Sequence, residues 1–381
     1  MKKKILIICG TRPEAIKLAP LIKHFSKNPL FEITVCLTAQ HRQMLDQVLD
    51  FFEIKPDIDL DLMVPDQTLY TLTANVVKAL EPVFKKLNPE FVFVQGDTTT
   101  AFGGALAAFY NKSKVVHIEA GLRSDNKYSP FPEEMNRILV GNLSDYHFAP
   151  TKKAAENLQK EGITKNVWVT GNTVIDALFE GLSLIKKRGE ASFIAKFPFA
   201  DFSKKIILVT GHRRESFGEP FKNIFSALNT ITLNNPGVQI IYPVHLNPNV
   251  QKPVKEILGN NPNVHLIDPL DYPELIWLME KSYMVITDSG GIQEEAPSLG
   301  KPVLVLREVT ERVEGIMAGT AILVGSDKDK IVSETEKLLK NAEYYNSMAN
   351  AVNPYGDGKS CELIEKILLG EMLEKEHSLQ L

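Results

Sequence analysis

The chain has 381 residues, of which 44% are hydrophobic and 24% are charged, and its formal net charge is −4 at pH 7. This length and balance are typical of a globular protein with two domains, and they exclude a disordered or low-complexity chain. The slightly acidic charge gives no support for nucleic acid or an anionic membrane surface as a partner.

The cysteines and the start of the chain bear on the compartment. The cysteines are Cys9, Cys36 and Cys361. Their odd number, wide spacing and lack of any CxxC or Cys/His cluster predict free thiols in a reducing, cytoplasmic compartment, without a metal site. The apolar run Ile5–Cys9 is too short for a secretory signal, and no stretch approaches the roughly 18 apolar residues that span a bilayer.

In the first half of the chain, short apolar runs alternate with longer amphipathic stretches. The predicted strands are Ile5–Cys9, Ile33–Thr38, Phe91–Gln95, Val115–Ile118, Tyr146–Ala149 and Val167–Thr170. The helical patterns between them include Pro13–Ser26, Thr68–Lys86 and Thr100–Tyr110. Such alternation indicates a parallel sheet with helices on both faces.

The same alternation begins again after residue 200. The predicted strands are Ile206–Thr210, Gln239–Tyr242, Val264–Ile267, Met284–Thr287 and Val303–Leu306, and the helices are Phe221–Asn234, Tyr272–Lys281 and Gln293–Leu299. The segment 313–321 fits neither pattern clearly. The sequence therefore predicts an α/β protein of two Rossmann-like doubly wound domains, 1–175 and 176–360, facing a cleft. A closing helix at about 360–381 could pack back on the first domain.

Carboxylates follow strands of the predicted first domain. Asp97 and Glu119 come after two of these strands, and Glu133 lies in the next loop, between a pair of prolines and a helix. Ligands of doubly wound sheets bind beyond the carboxyl ends of the strands, so three acids there point to acid–base chemistry. Each acid also has a structural alternative. Asp97 or one of the threonines after it could cap a helix, Glu119 could pair with Arg123, and Glu133 or Glu134 could open the next helix.

Cations follow a strand in each domain. Arg12 lies in the first strand–helix turn, with Lys17 about one turn further on, where free backbone N–H groups favour an anion. This turn is not GxGxxG, which argues against a nicotinamide or flavin cofactor. His212 and Arg213 follow a glycine after the first strand of the second domain and suit a phosphate or diphosphate. The alternatives are a solvated Arg12, and surface pairing of Arg213 and Arg214 with nearby glutamates.

A pair of glycines follows another strand of the second domain. Ser289, Gly290 and Gly291 precede a helix, where close backbone approach and the helix N-terminus favour phosphate. Glu294 or Glu295 could accept hydrogen bonds from ribose hydroxyls. The alternative is a plain turn followed by helix-stabilising acids.

Weaker signals come from isolated polar residues. His245 follows a strand, where a buried core histidine is the commoner outcome. A polar cluster at 38–43 could bind a ligand or cap a helix. Arg307 and Arg312 flank an acidic loop and are interpreted as surface pairs.

Taken together, these segments resemble the non-hydrolysing UDP-N-acetylglucosamine 2-epimerases. The matching stretches are GTRPEAIKLAP at 10–20, TAQHRQMLDQVL at 38–49, GDTTT at 96–100, HIEAGLR at 117–123, SPFPEEMNR at 129–137, TGNTVIDAL at 170–178, TGHRRESFG at 210–218, YPVHLNPNV at 242–250 and TDSGGIQEEAPSLGKPVL at 287–304. They run over nearly the whole chain. One departure is Val313, where the family often has proline, and it affects only the local loop shape.

The resemblance implies a glycosyltransferase-B type fold, a homodimer, and no metal or nicotinamide cofactor. It implies interconversion of UDP-GlcNAc and UDP-ManNAc, by elimination of UDP to a 2-acetamidoglucal and re-addition, for cell-surface polysaccharide. By position, the implied catalytic residues are Asp97, Glu119, Glu133 and His212. The implied substrate- and UDP-binding residues are Arg12, Lys17, Ser289, Gly290, Gly291 and Glu295. A regulatory UDP-GlcNAc site would use Gln40, Gln43, Gln67, Arg213 and His245.

The residue types fit this chemistry. The C2 proton is a weak acid, so C1–O cleavage must acidify it, and the departing diphosphate needs positive groups. Inversion moves a proton from one face of C2 to the other, which requires at least two acid–base groups. Three other activities stay open: a glycosyltransferase of the same fold, a hydrolysing 2-epimerase, and a sugar-nucleotide sensor without catalysis.

Overall fold

The structure, a computed structural model, describes residues 2–38, 42–62, 64, 66–213 and 216–370, with the backbone alone at 42 and 43. The chain divides into two units. The first unit comprises Met1–Glu180 and Tyr355–Leu381, and the second comprises Gly181–Pro354. Each unit contains one parallel sheet, and the two units are described separately below.

The sheet of the first unit has seven strands. They are β1 (Lys3–Cys9), β2 (Phe31–Leu37), β3 (Ile58–Asp59), β4 (Phe91–Gln95), β5 (Lys114–Ile118), β6 (Tyr146–Ala149) and β7 (Val167–Val169). Their order is β3-β2-β1-β4-β5-β6-β7, and each pair of neighbouring strands is parallel. The order reverses between β1 and β4, which is where doubly wound sheets bind ligands. These two strands read as apolar runs because helices cover both faces of the sheet.

Helices of the first unit connect these strands. They are α1 (Arg12–Ser26), α2 (Arg42–Phe51), α3 (Leu69–Leu87), α4 (Thr99–Tyr110), α5 (Glu133–Leu143), α6 (Lys152–Lys160) and α7 (Thr173–Arg188), the last of which continues into the second unit. Apolar residues of α3 and α4 share one buried core with β1 and β4, including Val76, Ala105 and Val94. This packing fixes the ends of β4 and β5, where the candidate acids lie.

The second unit repeats the arrangement with six strands. They are β8 (Lys205–Thr210), β9 (Val238–Pro243), β10 (Val264–Ile267), β11 (Met284–Thr287), β12 (Val303–Val305) and β13 (Ala321–Leu323), in the order β10-β9-β8-β11-β12-β13. The helices are α8 (Ala191–Lys196), α9 (Glu219–Asn234), α10 (Pro248–Leu258), α11 (Tyr272–Lys281), α12 (Gly290–Glu295), α13 (Val313–Met317), α14 (Lys328–Lys340) and α15 (Ala342–Ala349). A 3-10 turn, Ala296–Leu299, extends α12. The order again reverses, here between β8 and β11.

The last described helix, α16 (Ser360–Leu369), belongs to the first unit. The carboxylate of Asp176 accepts hydrogen bonds from the backbone N–H groups of Ser360 and Cys361 at 3.3 and 2.9 Å. Further along α16, Oε2 of Glu365 lies 2.8 Å from Nε2 of His24 in α1. These contacts fasten α16 to α1 and α7. In the described part of the chain, no helix combines the length and apolar character needed to cross a membrane.

The predicted fold class, two Rossmann-like doubly wound α/β domains, is confirmed by the two sheets. Every predicted strand is present, with ends within two residues of the prediction. The segment that fitted neither pattern forms α13 and then β13. One helix differs more: α12 begins at Gly290 rather than near Gln293, so the two glycines form its first turn.

Candidate active site

Glu119 lies directly after β5 and is buried, with 7% of its surface exposed. Its carboxylate accepts from Nζ of Lys17, 2.6 Å from both oxygens, and from Nδ2 of Asn172 at 2.9 Å. Nε2 of Gln95, at the end of β4, donates to the same carboxylate. The backbone φ of Glu119 is +62°, a left-handed conformation that is uncommon outside glycine. These donors, drawn from three elements, favour the ionised, proton-accepting form of a buried carboxylate.

The cation beside Glu119 is Lys17, which the resemblance assigns to nucleotide binding. The alternative in which Arg123 neutralises Glu119 is wrong. Nε and Nη2 of Arg123 donate to the carboxylate of Glu161 at 2.6 Å each. Lys17 comes from α1, which begins shortly after β1, and Glu119 directly follows β5 in the same sheet.

Asp97 follows β4 at the same edge of the sheet and is half-buried. Its Oδ2 accepts from Nε and Nη2 of Arg137 in α5, at 3.1 and 2.5 Å. Nη1 of the same guanidinium donates to Glu134 at 3.1 Å. Of the two suggested caps for α4, the threonine is confirmed and Asp97 is wrong, because Thr98 accepts the capping hydrogen bond. Asp97 is therefore held by a cation from the neighbouring helix.

The adjacent acids Glu133 and Glu134 have different surroundings. Glu134 is buried, and its carboxylate accepts from the backbone N–H groups of Ser124 and Asp125 as well as from Arg137. Glu133 is the first residue of α5 and is half-buried. Glu134 thus has a structural role in holding the loop before α5, whereas Glu133 has the exposure that a group acting on a substrate needs.

The turn between β1 and α1 carries Arg12, which is half-buried. Inside this turn the fully buried carboxylate of Glu14 accepts from the N–H groups of Gly10 and Thr11 at 3.0 and 2.8 Å. It also accepts from Oγ1 of Thr98 at 2.6 Å, which ties the turn to the loop that carries Asp97. Burial raises the pKa of Glu14, and these hydrogen bonds oppose that rise.

In the second unit, His212 follows β8 and is held by Asp288, which follows β11. The buried Oδ2 of Asp288 accepts from the N–H groups of His212 and Arg213 at 2.6 and 2.8 Å, and its Oδ1 lies 3.4 Å from Nδ1 of His212. The imidazole is 45% exposed and stacks on that of His245, with ring centroids 5.4 Å apart. Burial lowers the pKa of His212, Arg213 and His245 lower it further, and Asp288 opposes them.

The start of α12 brings the glycine pair next to a cation. Ser289 is the N-cap residue, and Ser289, Gly290 and Gly291 are all half-exposed. The guanidinium of Arg312 lies about 3.5 Å from where a Cβ of Gly290 would be, and its Nε donates to the buried Glu294 at 2.6 Å. Arg312 also pairs with the exposed Glu311 at 3.2 Å, so the suggested ion pairing is present, and its guanidinium lies beside a helix start suited to an anion.

Glu295, the other acid of α12, is buried and accepts a hydrogen bond from the hydroxyl of Tyr272 at 3.1 Å. Among the described residues, no group of three or more His, Cys, Asp or Glu side chains could hold a metal ion. Within the first unit, the strand ends thus carry carboxylates and their cations, and within the second unit they carry His212 and Arg312. Residues of these types suit acid–base work and the binding of phosphate.

Comparison with known proteins gives the family. A model of the family described as UDP-N-acetylglucosamine 2-epimerase matches residues 23–369. A relative from Campylobacter jejuni, a UDP-N-acetylglucosamine 2-epimerase, is 54% identical over 97% of this chain and 98% of its own length. The chain belongs to the UDP-N-acetylglucosamine 2-epimerase family, as the sequence resemblance predicted.

Solved structures of this epimerase family agree in fold. The crystal structure of UDP-GlcNAc 2-epimerase from Neisseria meningitidis bound to UDP-GlcNAc has a TM-score of 0.87 and 50% identity, and covers 96% of this chain and 100% of that one. The enzyme from Methanocaldococcus jannaschii, in complex with UDP-GlcNAc and UDP, has a TM-score of 0.78 and 35% identity, with 96% and 99% coverage.

The suggested regulatory residues are only partly described. Gln40 lies outside the described residues, as does the side chain of Gln43. Gln67 is half-buried, and its Oε1 is buried without a hydrogen-bond partner in the described structure. Arg213 and His245 are exposed, so the interpretation of His245 as a core histidine is wrong.

Sequence reasoning missed three partners of the candidate site residues. They are Arg137, Asn172 and Asp288. A signal was available for two of them, because Asn172 and Asp288 each lie in a loop that follows a strand, the first in the first unit and the second in the second unit. Arg137 lies inside α5, and only the packing of that helix reveals its contact with Asp97.

Proposed function

We propose that the chain is a non-hydrolysing UDP-N-acetylglucosamine 2-epimerase that interconverts UDP-GlcNAc and UDP-ManNAc. Family membership and the relatives' names support the substrate, and the Neisseria structure was solved with UDP-GlcNAc bound. The observation that carries the proposal is the arrangement at the ends of β4 and β5. Two carboxylates, Asp97 and Glu119, each lie against a cation at neighbouring strand ends, where acid–base groups for a sugar ring would be needed.

The first step in this mechanism is departure of UDP from C1. Negative charge develops on the diphosphate as the C1–O bond breaks, so positive groups that are already oriented lower the barrier. The second unit supplies His212, Arg312 and the N–H groups at the start of α12. Arg12, at the start of α1, adds a cation from the first unit. Glu295 would bind the ribose, as the resemblance implies.

The second step is loss of the C2 proton, which leaves 2-acetamidoglucal and UDP. Positive charge on the ring acidifies this proton, and the carboxylates Asp97, Glu119 and Glu133 provide both the stabilising charge and the base. UDP then adds back to C1 while a proton is delivered to the opposite face of C2. The presence of several acids supports this two-sided chemistry, because one rigid carboxylate cannot easily reach both faces.

The test is incubation of the purified protein with UDP-GlcNAc alone, followed by ¹H and ³¹P NMR. The proposal predicts an equilibrium mixture of UDP-GlcNAc and UDP-ManNAc with no accumulation of free sugar. Free ManNAc with UDP would instead identify a hydrolysing epimerase. Unchanged UDP-GlcNAc would identify a glycosyltransferase awaiting its acceptor or a sugar-nucleotide sensor.

We also propose that the protein is a homodimer, as the resemblance implies. A groove of about 1220 Å³ runs along α3 and α4 and is bounded by Phe131. Tyr70, at its rim, is 90% exposed, and Leu69 and Tyr110 are exposed beside it. Glu81 and Lys85 pair at 2.5 Å along the groove, so both signs of charge are present for a self-complementary, two-fold contact.

Light scattering after gel filtration tests the dimer. Tyr70→Lys would give a monomer, because the substitution places a charge in the apolar groove. Leu233→Lys is the matched control, since Leu233 is 67% exposed on α9 of the second unit. Dimeric Tyr70→Lys protein, or a monomeric wild type, would refute this interface.

The enzyme would also be regulated by its substrate, as the resemblance implies. A second molecule of UDP-GlcNAc would bind with Gln67, Arg213 and His245, because Gln67 has an unpartnered buried oxygen and the other two side chains are exposed. Conversion of UDP-ManNAc alone would then show a lag that added UDP-GlcNAc removes.

The product would serve the synthesis of cell-surface polysaccharide. The enzyme would be cytoplasmic, which is consistent with its three buried free cysteines.

A further inference from the structure

Asn172 connects the start of α7 to the candidate catalytic acid. The residue is 2% exposed and lies after β7, in the short loop before Thr173. Its Nδ2 donates to Oε1 of Glu119 at 2.9 Å, and its Oδ1 accepts from the N–H group of Val174 at 3.1 Å. One amide side chain therefore has two separate tasks, capping a helix with its oxygen and supporting a carboxylate with its nitrogen.

The backbone around Asn172 leaves little freedom for this side chain to move. Its N–H group donates to the carbonyl of Tyr355 at 2.7 Å. The preceding Gly171 has φ +81°, and a Cβ there would lie 3.0 Å from Cα of Gly356. Only glycine allows the two segments to approach so closely. The loop before α7 is thus fixed against the chain that returns to the first unit at Tyr355.

We propose that Asn172 is a positioning residue for Glu119, fixing the direction of its carboxylate and keeping it ionised for reaction at C2. This inference rests on the proposed epimerase function. Lys17 donates to both oxygens through a long side chain, whereas Asn172 donates to Oε1 through a short amide held at both ends. The amide restricts rotation of the carboxylate, and a small rotation is enough to displace a proton-transferring oxygen.

Two substitutions separate the donor from the helix cap. Asn172→Ser and Asn172→Asp both keep an oxygen that can cap α7, and both remove the N–H donor. Asn172→Asp also places a second anion beside Glu119. Asn341→Asp is the matched control, because Asn341 caps α15 with its side-chain oxygen and belongs to the second unit.

The readouts are kcat, KM, the pH profile of kcat, and UDP binding by calorimetry. For Asn172→Ser, we expect kcat to fall about 10- to 100-fold, the scale of an impaired acid–base group, with KM and UDP affinity within about threefold. For Asn172→Asp, we expect the acidic limb of the profile to move to higher pH, because the added charge makes Glu119 harder to ionise. Asn341→Asp should change neither kcat nor the position of the acidic limb.

A double substitution tests whether Asn172 acts through Glu119. In a Glu119→Gln background, Asn172→Ser should cause little further loss, since coupled residues are not additive. Wild-type kcat and an unshifted pH profile in both Asn172 variants would overturn the inference, and so would full additivity with Glu119→Gln. These outcomes require a wild type that converts UDP-GlcNAc. An inactive wild type would instead count against the proposed function, so the two failures are distinguishable.

Discussion

Nζ of Lys17 lies 2.6 Å from both carboxylate oxygens of Glu119, and the side chain of Glu119 is only 4% exposed. The lysine lies in α1, the helix that follows β1, and the acid directly follows β5. At this separation from a buried carboxylate, the cation favours the ionised acid strongly. In the proposed mechanism, Lys17 would therefore support the acid–base role of Glu119.

Loss of this cation should change the pH dependence of turnover. In Lys17→Met we expect kcat to fall about 10- to 100-fold and the acidic limb of its pH profile to move to higher pH, because Glu119 becomes harder to ionise. Lys17→Arg keeps the charge and should leave the limb near its wild-type position. An unmoved limb in Lys17→Met would show that Lys17 does not control Glu119.

Neutral replacements of the carboxylates test their role directly. Asp97→Asn and Glu119→Gln should each lower kcat by about 100-fold or more, the scale of a lost acid–base group. Glu362→Gln is the control, since Glu362 pairs with Lys366 at an exposed position on α16 and should stay within about twofold of wild type. Full activity in both Asp97→Asn and Glu119→Gln would refute the assignment.

Asp288 should control the charge of His212. The pKa of His212 is lowered chiefly by burial, and Asp288 opposes this effect. In Asp288→Asn the pKa of His212 should therefore fall further, and the protonated imidazole available to a diphosphate near pH 7 should decrease. NMR titration of the ring protons measures the pKa, with His24 of the first unit as the internal reference. We expect kcat/KM to fall about 10-fold or more, whereas an unchanged His212 titration would contradict the prediction.

Two buried histidines should make the fold sensitive to acid. His117 and His147 are paired neighbours on β5 and β6, and burial lowers their pKa values to about 3 and about 4. An unfolded histidine takes up its proton near pH 6.5, so the unfolded chain binds more protons between these values. Stability is therefore present above about pH 6.5 and is lost as the pH falls towards 3 to 4.

Urea unfolding at pH 7, 6 and 5 measures this loss. For His117 alone, the free energy of unfolding should fall by on the order of 1–2 kcal/mol between pH 6.5 and 5. His117→Asn cannot ionise, so its stability should depend less on pH over this interval, whatever its stability at pH 7. Equal pH dependence in both proteins would show that His117 does not titrate as inferred.

The fold was predictable because its signals are local. Apolar runs such as Phe91–Gln95 gave the buried parallel strands, and the alternation with helices gave the doubly wound class. The strands β3 and β13 were not predicted, because β3 has only two residues and β13 follows a segment whose pattern was mixed. The start of α12 was placed too late, since Gly290 and Gly291 are poor helix formers that here lie in a first turn.

Within the candidate site, the sequence predicted residue types at strand ends but not their partners. Glu119 was expected to need a cation, yet the nearby Arg123 pairs with Glu161 while Lys17 arrives from a distant segment. Such pairings depend on which strands are neighbours in the sheet. Glu133 and Glu134 are equivalent in a sequence pattern, and only helix packing distinguishes the buried one from the accessible one.

Incubation of the wild-type protein with UDP-GlcNAc in D₂O gives the most direct test, because acids at the first sheet edge should exchange the proton at C2 of the sugar. ¹H NMR of the recovered nucleotide sugars reports deuterium at that carbon. We predict UDP-ManNAc that carries deuterium at C2, with deuterium also entering the UDP-GlcNAc pool as the reaction reverses. UDP-ManNAc that keeps protium at C2 would contradict proton exchange by Asp97, Glu119 or Glu133 and would require a different route to inversion.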